Sequence, residues 1–385
     1  MADSMFNAEH QEMRAVIRRF VEKELAPYAD EWEAAESFPS EIFRRMGQLG
    51  FLGLWYPEEY GGSGGDYLYS VVLAEEMSRC RSGGLGMGLA VHTDMVLPTV
   101  LKFGTEEQKQ NYIVPGLKGE KIGCLGITEP NSGSDVQAIR TVARRDGDDW
   151  VINGSKIYIT NGLRADFILL VAKTETSQRS SKGVTLFLVD KTLPGFSVSR
   201  KLKKVGMHAS DTAELAFQDV RVPNSAILGE EGKGFYHIMW ELQVERLYAA
   251  VAAVATAQRA YEIAFDYAKE RIAFGRQVNQ FQVIQHKFVD MATQIEAGRQ
   301  LAYSAVRKYL EGGYPVKEIT MAKLFTAQMS NRVVDEALQI HGGAGYMNEY
   351  EIGRIWRDLR LNRIGAGTDE IMKEVIAKEL GFPKL

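Results

Sequence analysis

Two carboxylates one helical turn apart, Glu241 and Glu245, are of a type and spacing that could carry proton chemistry. They precede a stretch very rich in alanine and valine, Tyr248 to Ala257, within a long helical pattern. A helix of that composition must be buried, and a carboxylate at its edge needs a partner or a cavity. Desolvation would raise the pKa of such a group above its usual value of about 4.3 and make it a better base near neutral pH. The alternative is a solvated helix charge, because Arg246 directly follows Glu245.

A loop of small polar residues is the first candidate for ligand binding. Residues 128–135 read Thr-Glu-Pro-Asn-Ser-Gly-Ser-Asp, a composition typical of turns. Backbone N–H groups beside small side chains can also approach a phosphate closely. The residues alone therefore leave two interpretations open, a plain turn and an anion-binding loop.

Two other segments contain glycine, and the first of them has an ordinary structural explanation when taken alone. Residues 271–276, Arg-Ile-Ala-Phe-Gly-Arg, predict a helix end with a glycine cap. Residues 339–346, Gln-Ile-His-Gly-Gly-Ala-Gly-Tyr, are rich in glycine. No G-x-G-x-x-G motif opens a βα unit, so a Rossmann site is unsupported. The six histidines do not cluster, and the sequence predicts no metal site.

Composition is that of an ordinary soluble globular protein. The 385 residues, 45% hydrophobic and 25% charged, can form two to three domains. The net charge of −4, without blocks of like charge, provides no electrostatic case for nucleic acid or an anionic membrane. No run of about 20 apolar residues is expected to span a bilayer. Cys80 and Cys124 fit ordinary thiols in a reducing compartment.

The N-terminal residues predict no targeting segment. Met1-Ala2-Asp3-Ser4 leads directly into a charged helical pattern, without an apolar signal core or an Arg-rich transit peptide. We therefore expect a bacterial cytoplasmic location, or the mitochondrial matrix if a transit peptide has been removed.

The sequence pattern changes from helical to strand-like and back to helical, which predicts three domains, 1–121, 122–228 and 229–385. The first is helical, with Met13, Val16, Ile17, Phe20 and Val21 on one apolar face and a capping box at Thr105. The last is helical with few breaks, as in a helix bundle.

The middle domain reads as short strands rich in β-branched and aromatic residues. Without intervening helices, such strands predict an antiparallel β domain of sandwich or barrel-like form. Asn153-Gly154, between two of these strands, predicts a hairpin turn.

Taken together, residues 126–135 and 339–358 resemble the two signature motifs of the acyl-CoA dehydrogenase flavoproteins, in the same order and at a similar separation. The resemblance extends from Tyr60-Gly61-Gly62 to residues 371–374. It implies that family's α+β, mainly α fold, with an N-terminal helical domain, a middle antiparallel β domain and a C-terminal four-helix bundle.

The resemblance also implies an FAD site shared between subunits. Ile127, Thr128, Ser134, Tyr158 and Thr160 match residues that lie against the flavin and pyrophosphate. Thr368 and Glu370 match positions near the adenosine part. The positions that would reach the FAD of a neighbouring subunit are Arg271, Phe274, Gln282, Gln339, Gly342 and Gly343. A shared site implies an obligate homo-oligomer, expected to be a tetramer built as a dimer of dimers.

The catalytic base is where this sequence departs from most of the family. Most members carry a glutamate in a C-terminal aromatic-Glu-Gly-Thr motif, but here Ala366 stands at that position, after Gly365. The isovaleryl-CoA and long-chain acyl-CoA dehydrogenases place the base in a Glu-Arg pair on another helix, which matches Glu245-Arg246. We therefore predict Glu245 as the base, with Glu241 as the competing candidate. Arg246, Gly365 and Ala366 are expected to contact the substrate.

The implied reaction is α,β-dehydrogenation of an acyl-CoA to the trans-2-enoyl-CoA. Glu245 would take the α-proton while the β-hydrogen leaves as hydride to flavin N5, and the Ala366 N–H would stabilise the enolate oxygen. Electrons would pass to an electron-transfer flavoprotein, in fatty acid or branched-chain catabolism. The space beside Gly365-Ala366 favours a branched or isoprenoid chain over a long straight one.

Two alternatives stay open. One is an enzyme of the same fold with another acceptor or carrier, such as an oxidase or a dehydrogenase of carrier-protein-bound groups. The other is a catalytically silent flavin-binding protein, which Ala366 favours and Glu245 opposes. His208 stands where the family commonly has arginine and is predicted to be structural, although it puts CoA or carrier recognition in question.

Overall fold

The computed structural model describes residues 5–174 and 183–383, with a sheet between two groups of helices in chain order. Residues 1–4, on which the targeting expectation depends, lie outside the described residues. The described chain is mainly helical with a central sheet, which confirms the predicted fold class.

The N-terminal part consists of short helices joined by turns. Ile17 and Phe20 of the first helix are buried, as the apolar pattern predicts, whereas Val16 is exposed. The Thr105 capping box is confirmed, because its side chain accepts the N–H of Gln108. The helices are α1 Ala8–Phe20, α2 Ala29–Ala35, α3 Glu41–Gln48, α4 Leu68–Met77, α5 Gly83–Ala90, α6 Leu97–Phe103, α7 Glu106–Gln108 and α8 Val114–Leu117.

Helix α5 continues through a π-helical segment, Val91–Val96, into α6. The resulting stretch, Gly83–Phe103, is long and apolar enough to cross a membrane by length and composition alone. The sequence pattern predicts no apolar run of this length, and the stretch Gly83–Phe103 corrects that expectation. Because 83% of its apolar window is buried inside the protein, the stretch has the surroundings of a core helix.

The middle part forms one eight-stranded sheet. Its strands are β1 Gly123–Gly126, β2 Val142–Asp146, β3 Asp149–Thr160, β4 Phe167–Lys173, β5 Val184–Asp190, β6 Phe196–Lys201, β7 Thr212–Pro223 and β8 Ile227–Leu228. The order is β6-β7-β3-β2-β4-β5-β8, with β1 beside β4. Most pairs are antiparallel, as predicted, but β1 and the first residue of β2 pair in parallel with β4.

The predicted hairpin at Asn153-Gly154 is wrong. Strand β3 runs through both residues, and the turn lies at Gly147, between β2 and β3. Gly154 instead lies at a register shift against β7, with a φ of +152°. A Cβ at Gly154 would lie 2.5 Å from the Thr141 hydroxyl, so the glycine serves close packing and a bulge.

The C-terminal part consists of three long helices and two shorter ones. They are α9 Gly234–Glu270, α10 Gln282–Leu310, α11 Val316–His341, α12 Glu351–Leu359 and α13 Asp369–Glu379. A small hairpin, β9 Ile272–Ala273 and β10 Arg276–Gln277, joins α9 to α10. Fully buried alanines, among them Ala250, Ala257 and Ala264, line the packed side of α9 and let its neighbours approach closely.

Candidate active site

Elements from all three parts surround one cavity of about 1440 Å³. Its wall contains residues of α5, the loop after β1, the end of β3, helix α9 and the segment 359–368. Sites for a single drug-sized ligand usually measure about 300–1,000 Å³. The volume is therefore enough for a cofactor and a substrate side by side.

Ten of the residues singled out from the sequence line this cavity. They are Ile127, Thr128, Ser134, Tyr158, Thr160, Glu245, Arg246, Gly365, Ala366 and Thr368. Of these, the hydroxyls of Thr128, Ser134 and Thr160 make no hydrogen bond to any other described residue. Free hydroxyls on a cavity wall are available to the polar edge of a bound molecule.

Tyr158 provides the cavity with an exposed aromatic ring. The residue is 67% exposed, and its φ of +63° is a left-handed conformation that is rare for a bulky residue. It lies at the β3 bulge between Lys156 and Ile159. Strain of this kind is of order 1–3 kcal/mol and is concentrated at functional sites. An aromatic ring held on a strand, with free hydroxyls nearby in the same cavity, fits a planar ring system such as a flavin.

A buried ion pair that the sequence reasoning missed anchors the loop after β1. Lys156 is fully buried, and its Nζ donates to Glu129 Oε1 at 2.8 Å and to the Ile127 carbonyl at 3.0 Å. Glu129 also accepts the N–H groups of Arg140 and Thr141 at 2.5 and 2.9 Å. The available signal was a lysine within the otherwise apolar strand sequence Lys156-Ile157-Tyr158-Ile159.

Burial and charge act against each other on this pair. Burial would raise the pKa of Glu129, but the Lys156 charge and the hydrogen bonds prevail and lower it. Burial lowers the pKa of Lys156 to about 8, against the raising effect of Glu129. The pair is ionised at neutral pH and fixes the backbone that carries Ile127 and Thr128.

Glu245 lies on the cavity wall and is partly exposed there. Burial raises its pKa, while the charges of Arg246 and Lys323 lower it. Glu241, one turn earlier, is fully buried and is not among the cavity residues. The structure thus places Glu245, and not Glu241, where a ligand in the cavity can contact it.

Two cationic side chains bind backbone carbonyls of the segment that contains Ala366. Arg246 Nε donates to the Ala366 carbonyl at 2.9 Å, and Lys323 Nζ donates to the Gly367 carbonyl. Ala366 and Gly367 both have positive φ, +55° and +99°. The Ala366 N–H donates to no acceptor among the described residues. Sequence reasoning missed Lys323, which lies on α11 and is 1% exposed.

The other predicted cofactor residues do not line the cavity of this single chain. Phe274 is 97% exposed beside the β9–β10 hairpin. The remaining members of this exposed set are Arg271, Gln282, Gln339, Gly342, Gly343 and Glu370. Their contact with a cofactor stays a prediction. For all of them except Glu370, the predicted contact is with the FAD of a neighbouring subunit.

His208 does not line the cavity either. Its Nε2 lies 3.0 Å from the Lys204 carbonyl, and its Nδ1 lies 3.9 Å from Glu33 Oε2. These local contacts favour the structural interpretation of this residue.

Family comparisons cover almost the whole chain. Models of the acyl-CoA dehydrogenase N-terminal, middle and C-terminal domains match residues 7–120, 124–220 and 232–381. The chain is 41% identical over 381 residues to a mitochondrial long-chain specific acyl-CoA dehydrogenase of Sus scrofa, covering 99% of this chain and 88% of that protein. It is 38% identical to a mitochondrial isovaleryl-CoA dehydrogenase of Oryza sativa, covering 98% and 92%.

A solved structure shows the same fold. The crystal structure of an acyl-CoA dehydrogenase from Geobacillus kaustophilus has a TM-score of 0.96 and 43% identity, covering 98% of this chain and 100% of that one. With the cavity described above, these matches establish an oxidoreductase, and the chain belongs to the acyl-CoA dehydrogenase family.

Proposed function

We propose that this acyl-CoA dehydrogenase is FAD-dependent and converts an acyl-CoA thioester to the trans-2-enoyl-CoA, with Glu245 as the base. The observation that carries the proposal is the position of Glu245. Its carboxyl lies on the cavity wall, while the usual base position is occupied by an alanine whose N–H is free.

The cavity residues divide into a cofactor group and a substrate group. Tyr158, Thr160, Thr128 and Ser134 supply a flat ring and free hydroxyls, which suits FAD. FAD, when bound, supplies the acceptor for the hydride that leaves the β-carbon. Every other element of the mechanism comes from the chain itself.

The chain's own residues move one proton and stabilise one charge. Glu245 accepts the α-proton, and the raised pKa of its carboxyl makes it a stronger base than a solvated glutamate. The Ala366 N–H donates to the thioester oxygen as negative charge develops there. Arg246 and Lys323 hold the carbonyls of Ala366 and Gly367, which follow that N–H in the chain, and so restrict its direction.

The substrate end of the cavity favours a bulky acyl group. Gly365 and Ala366 leave space that larger side chains fill in members with the base at the usual position. We propose a branched or isoprenoid acyl-CoA as the first choice and a long straight chain as the second. A difference of one or two side chains supplies only about 1–3 kcal/mol of discrimination, so a substrate panel has to decide.

The assembly and partners follow from the same proposal. The exposed set around Phe274, apart from Glu370, would complete the FAD site of a neighbouring subunit in a homotetramer, a dimer of dimers. Electrons would leave for an electron-transfer flavoprotein. The proposed location is the bacterial cytoplasm, or the mitochondrial matrix if a transit peptide has been removed.

The decisive experiment is anaerobic titration of the yellow holoprotein with a panel of acyl-CoAs, compared with the Glu245→Ala variant. We expect bleaching of the flavin absorbance in the parent and a rate lower by about 10²–10⁴ in Glu245→Ala, with FAD retained. Glu270→Ala, an exposed carboxylate at the end of the same helix, is the matched control.

Other outcomes separate the alternatives. Near-normal bleaching of Glu245→Ala would eliminate Glu245 as the base. If none of the acyl-CoAs bleaches the flavin of the parent protein but a carrier-protein thioester does, the enzyme depends on a carrier protein. A parent that retains FAD and never bleaches would indicate a catalytically silent flavin-binding protein.

A further inference from the structure

Glu241 is a buried carboxyl group that the proposed reaction does not use. It is 0% exposed, and neither oxygen accepts a hydrogen bond from an N–H or hydroxyl group of the described residues. An ionised carboxylate in such surroundings is strongly disfavoured, and the usual result is that the group keeps its proton. A buried group in this state needs an explanation.

The polar group that Glu241 meets is the carboxyl of Glu245. Positions i and i+4 share one face of a helix, so the two carboxyls are neighbours one turn apart, and each affects the pKa of the other. Two carboxylate anions repel each other, so this contact is attractive only when one member carries a proton.

The charges around the pair decide which member is protonated. Burial, and then the charge of Glu245, raise the pKa of Glu241 well above its ordinary value. Burial also raises the pKa of Glu245, but Arg246 and Lys323 both favour its ionised form.

The remaining groups around the pair act through those two cations. Arg246 also faces Glu241, and Tyr314 faces Arg246. Asp369 faces Lys323. These surroundings favour the proton on Glu241 and the negative charge on Glu245.

We propose that Glu241 is a positioning residue that stays protonated and donates a hydrogen bond to the carboxylate of Glu245. The bond holds the base in its orientation toward the cavity and stabilises its ionised form before substrate arrives. Glu241 keeps its own proton throughout, since the α-proton of the thioester goes to Glu245. This inference rests on the proposed function, because it takes Glu245 as the base.

Two substitutions separate hydrogen bonding from the mere presence of a side chain. Glu241→Met fills a similar volume but cannot donate, whereas Glu241→Gln retains an N–H donor and cannot ionise. Loss of the donor raises the pKa of Glu245. We expect Glu241→Met to lower the rate of flavin reduction at neutral pH by about tenfold, and to move the acidic limb of the pH–rate profile up by about one unit.

Glu241→Gln is expected to rescue most of that loss and return the acidic limb toward its original position. Leu247→Met is the matched control, because it is a buried apolar residue of the same helix that does not line the cavity. An unchanged pH–rate profile in Glu241→Met would overturn the proposal. So would a Glu241→Gln variant as defective as Glu241→Met.

A second measurement does not depend on turnover or on folding of the Met variant. Infrared spectra of the parent holoprotein at neutral pH should contain the C=O band of a protonated buried carboxyl, and Glu241→Gln should lose it. Absence of the band in the parent would contradict the proposal. If Glu245→Ala retains the parent rate of flavin reduction, the proposed function fails. If Glu245→Ala is inactive but Glu241→Met behaves like the parent, only the role of Glu241 is refuted.

Discussion

Glu129 beside the sheet and Glu241 in helix α9 are both buried carboxyl groups, but their surroundings are opposite. Glu129 is 4% exposed and accepts bonds from Lys156 Nζ at 2.8 Å and from two backbone N–H groups. Glu241 is 0% exposed and accepts no bond from an N–H or hydroxyl donor among the described residues. One group is compensated by a full set of donors, while the other has no hydrogen-bond donor among the described residues and lies next to a second carboxyl.

The difference shows how a buried charge can be assigned a role. A fully bonded ion such as Glu129 fixes the position of the backbone around it, here the loop that carries Ile127 and Thr128. An unsatisfied carboxyl is stable only in its neutral form, so it can donate a hydrogen bond and tune a neighbour. Burial is common to both groups, and the donors around each one decide the outcome.

The strongest test of this comparison removes the partner of Glu129. Lys156→Met leaves an ionised carboxylate buried without its counter-charge, and we expect a loss of about 3–5 kcal/mol in the free energy of unfolding. Denaturant unfolding of the holoprotein measures it. The double variant Glu129→Gln/Lys156→Met should recover most of the loss, because no uncompensated charge is left. If the double variant is no more stable than Lys156→Met, the loss comes from packing and the electrostatic explanation is wrong.

The sequence predicts the fold because its helices and strands have local signatures, and the family resemblance singles out ten of the residues that line the cavity. The strand patterns, the capping box at Thr105 and the long α9 pattern depend on neighbours in the chain and are confirmed. Asn153-Gly154 failed because the same dipeptide suits a hairpin turn or a bulge, and pairing with the distant β7 selects the bulge.

The partners of the site residues could not be predicted, because they come from remote segments. Lys156 meets Glu129 across 27 residues, and Lys323 meets Gly367 across 44. Nothing in the local pattern around either lysine specifies the oxygen that it binds. The orientation of Ala366, whose φ is positive, likewise depends on Arg246, which lies 120 residues earlier.

A smaller effect is expected where a cation compensates only part of a carboxylate's burial. Arg246 lowers the pKa of Glu245 against the raising effect of burial. In Arg246→Gln that pKa rises further, so the base is protonated more at neutral pH. We expect flavin reduction at neutral pH to slow by up to about tenfold and its acidic limb to move to higher pH by about one unit.

Arg246→Lys separates charge from geometry. It retains the positive charge but loses the guanidinium group that donates to the Ala366 carbonyl. The acidic limb should therefore return toward that of the parent, while the rate above that limb stays reduced. An Arg246→Gln profile identical to the parent profile would show that the arginine does not compensate Glu245.

The smallest effect is expected at an exposed ion pair with equally good geometry. Arg45 donates two hydrogen bonds to Glu24, both at 2.8 Å, yet the two side chains are 44% and 41% exposed. The bonds from Arg45 lower the pKa of Glu24 in the folded protein. Any stability from the pair is therefore present above the pKa of an unfolded glutamate, about 4.3, and is lost as the pH falls through the lower pKa of the folded state. Water solvates both side chains in the folded and the unfolded protein, and salt screens their charges, so the contribution of the pair to stability is small.

Glu24→Gln should therefore leave the thermal midpoint at neutral pH and about 0.15 M salt indistinguishable from that of the parent. The same measurement on Glu129→Gln, which has a similar 2.8 Å contact, should show a large drop. If burial decides the value of a charge pair, the two variants differ although their bond lengths do not. Equal losses in the two variants would mean that contact geometry, and not desolvation, distinguishes the charged groups of this chain, and the contrast between Glu129 and Glu241 would then lose its physical basis.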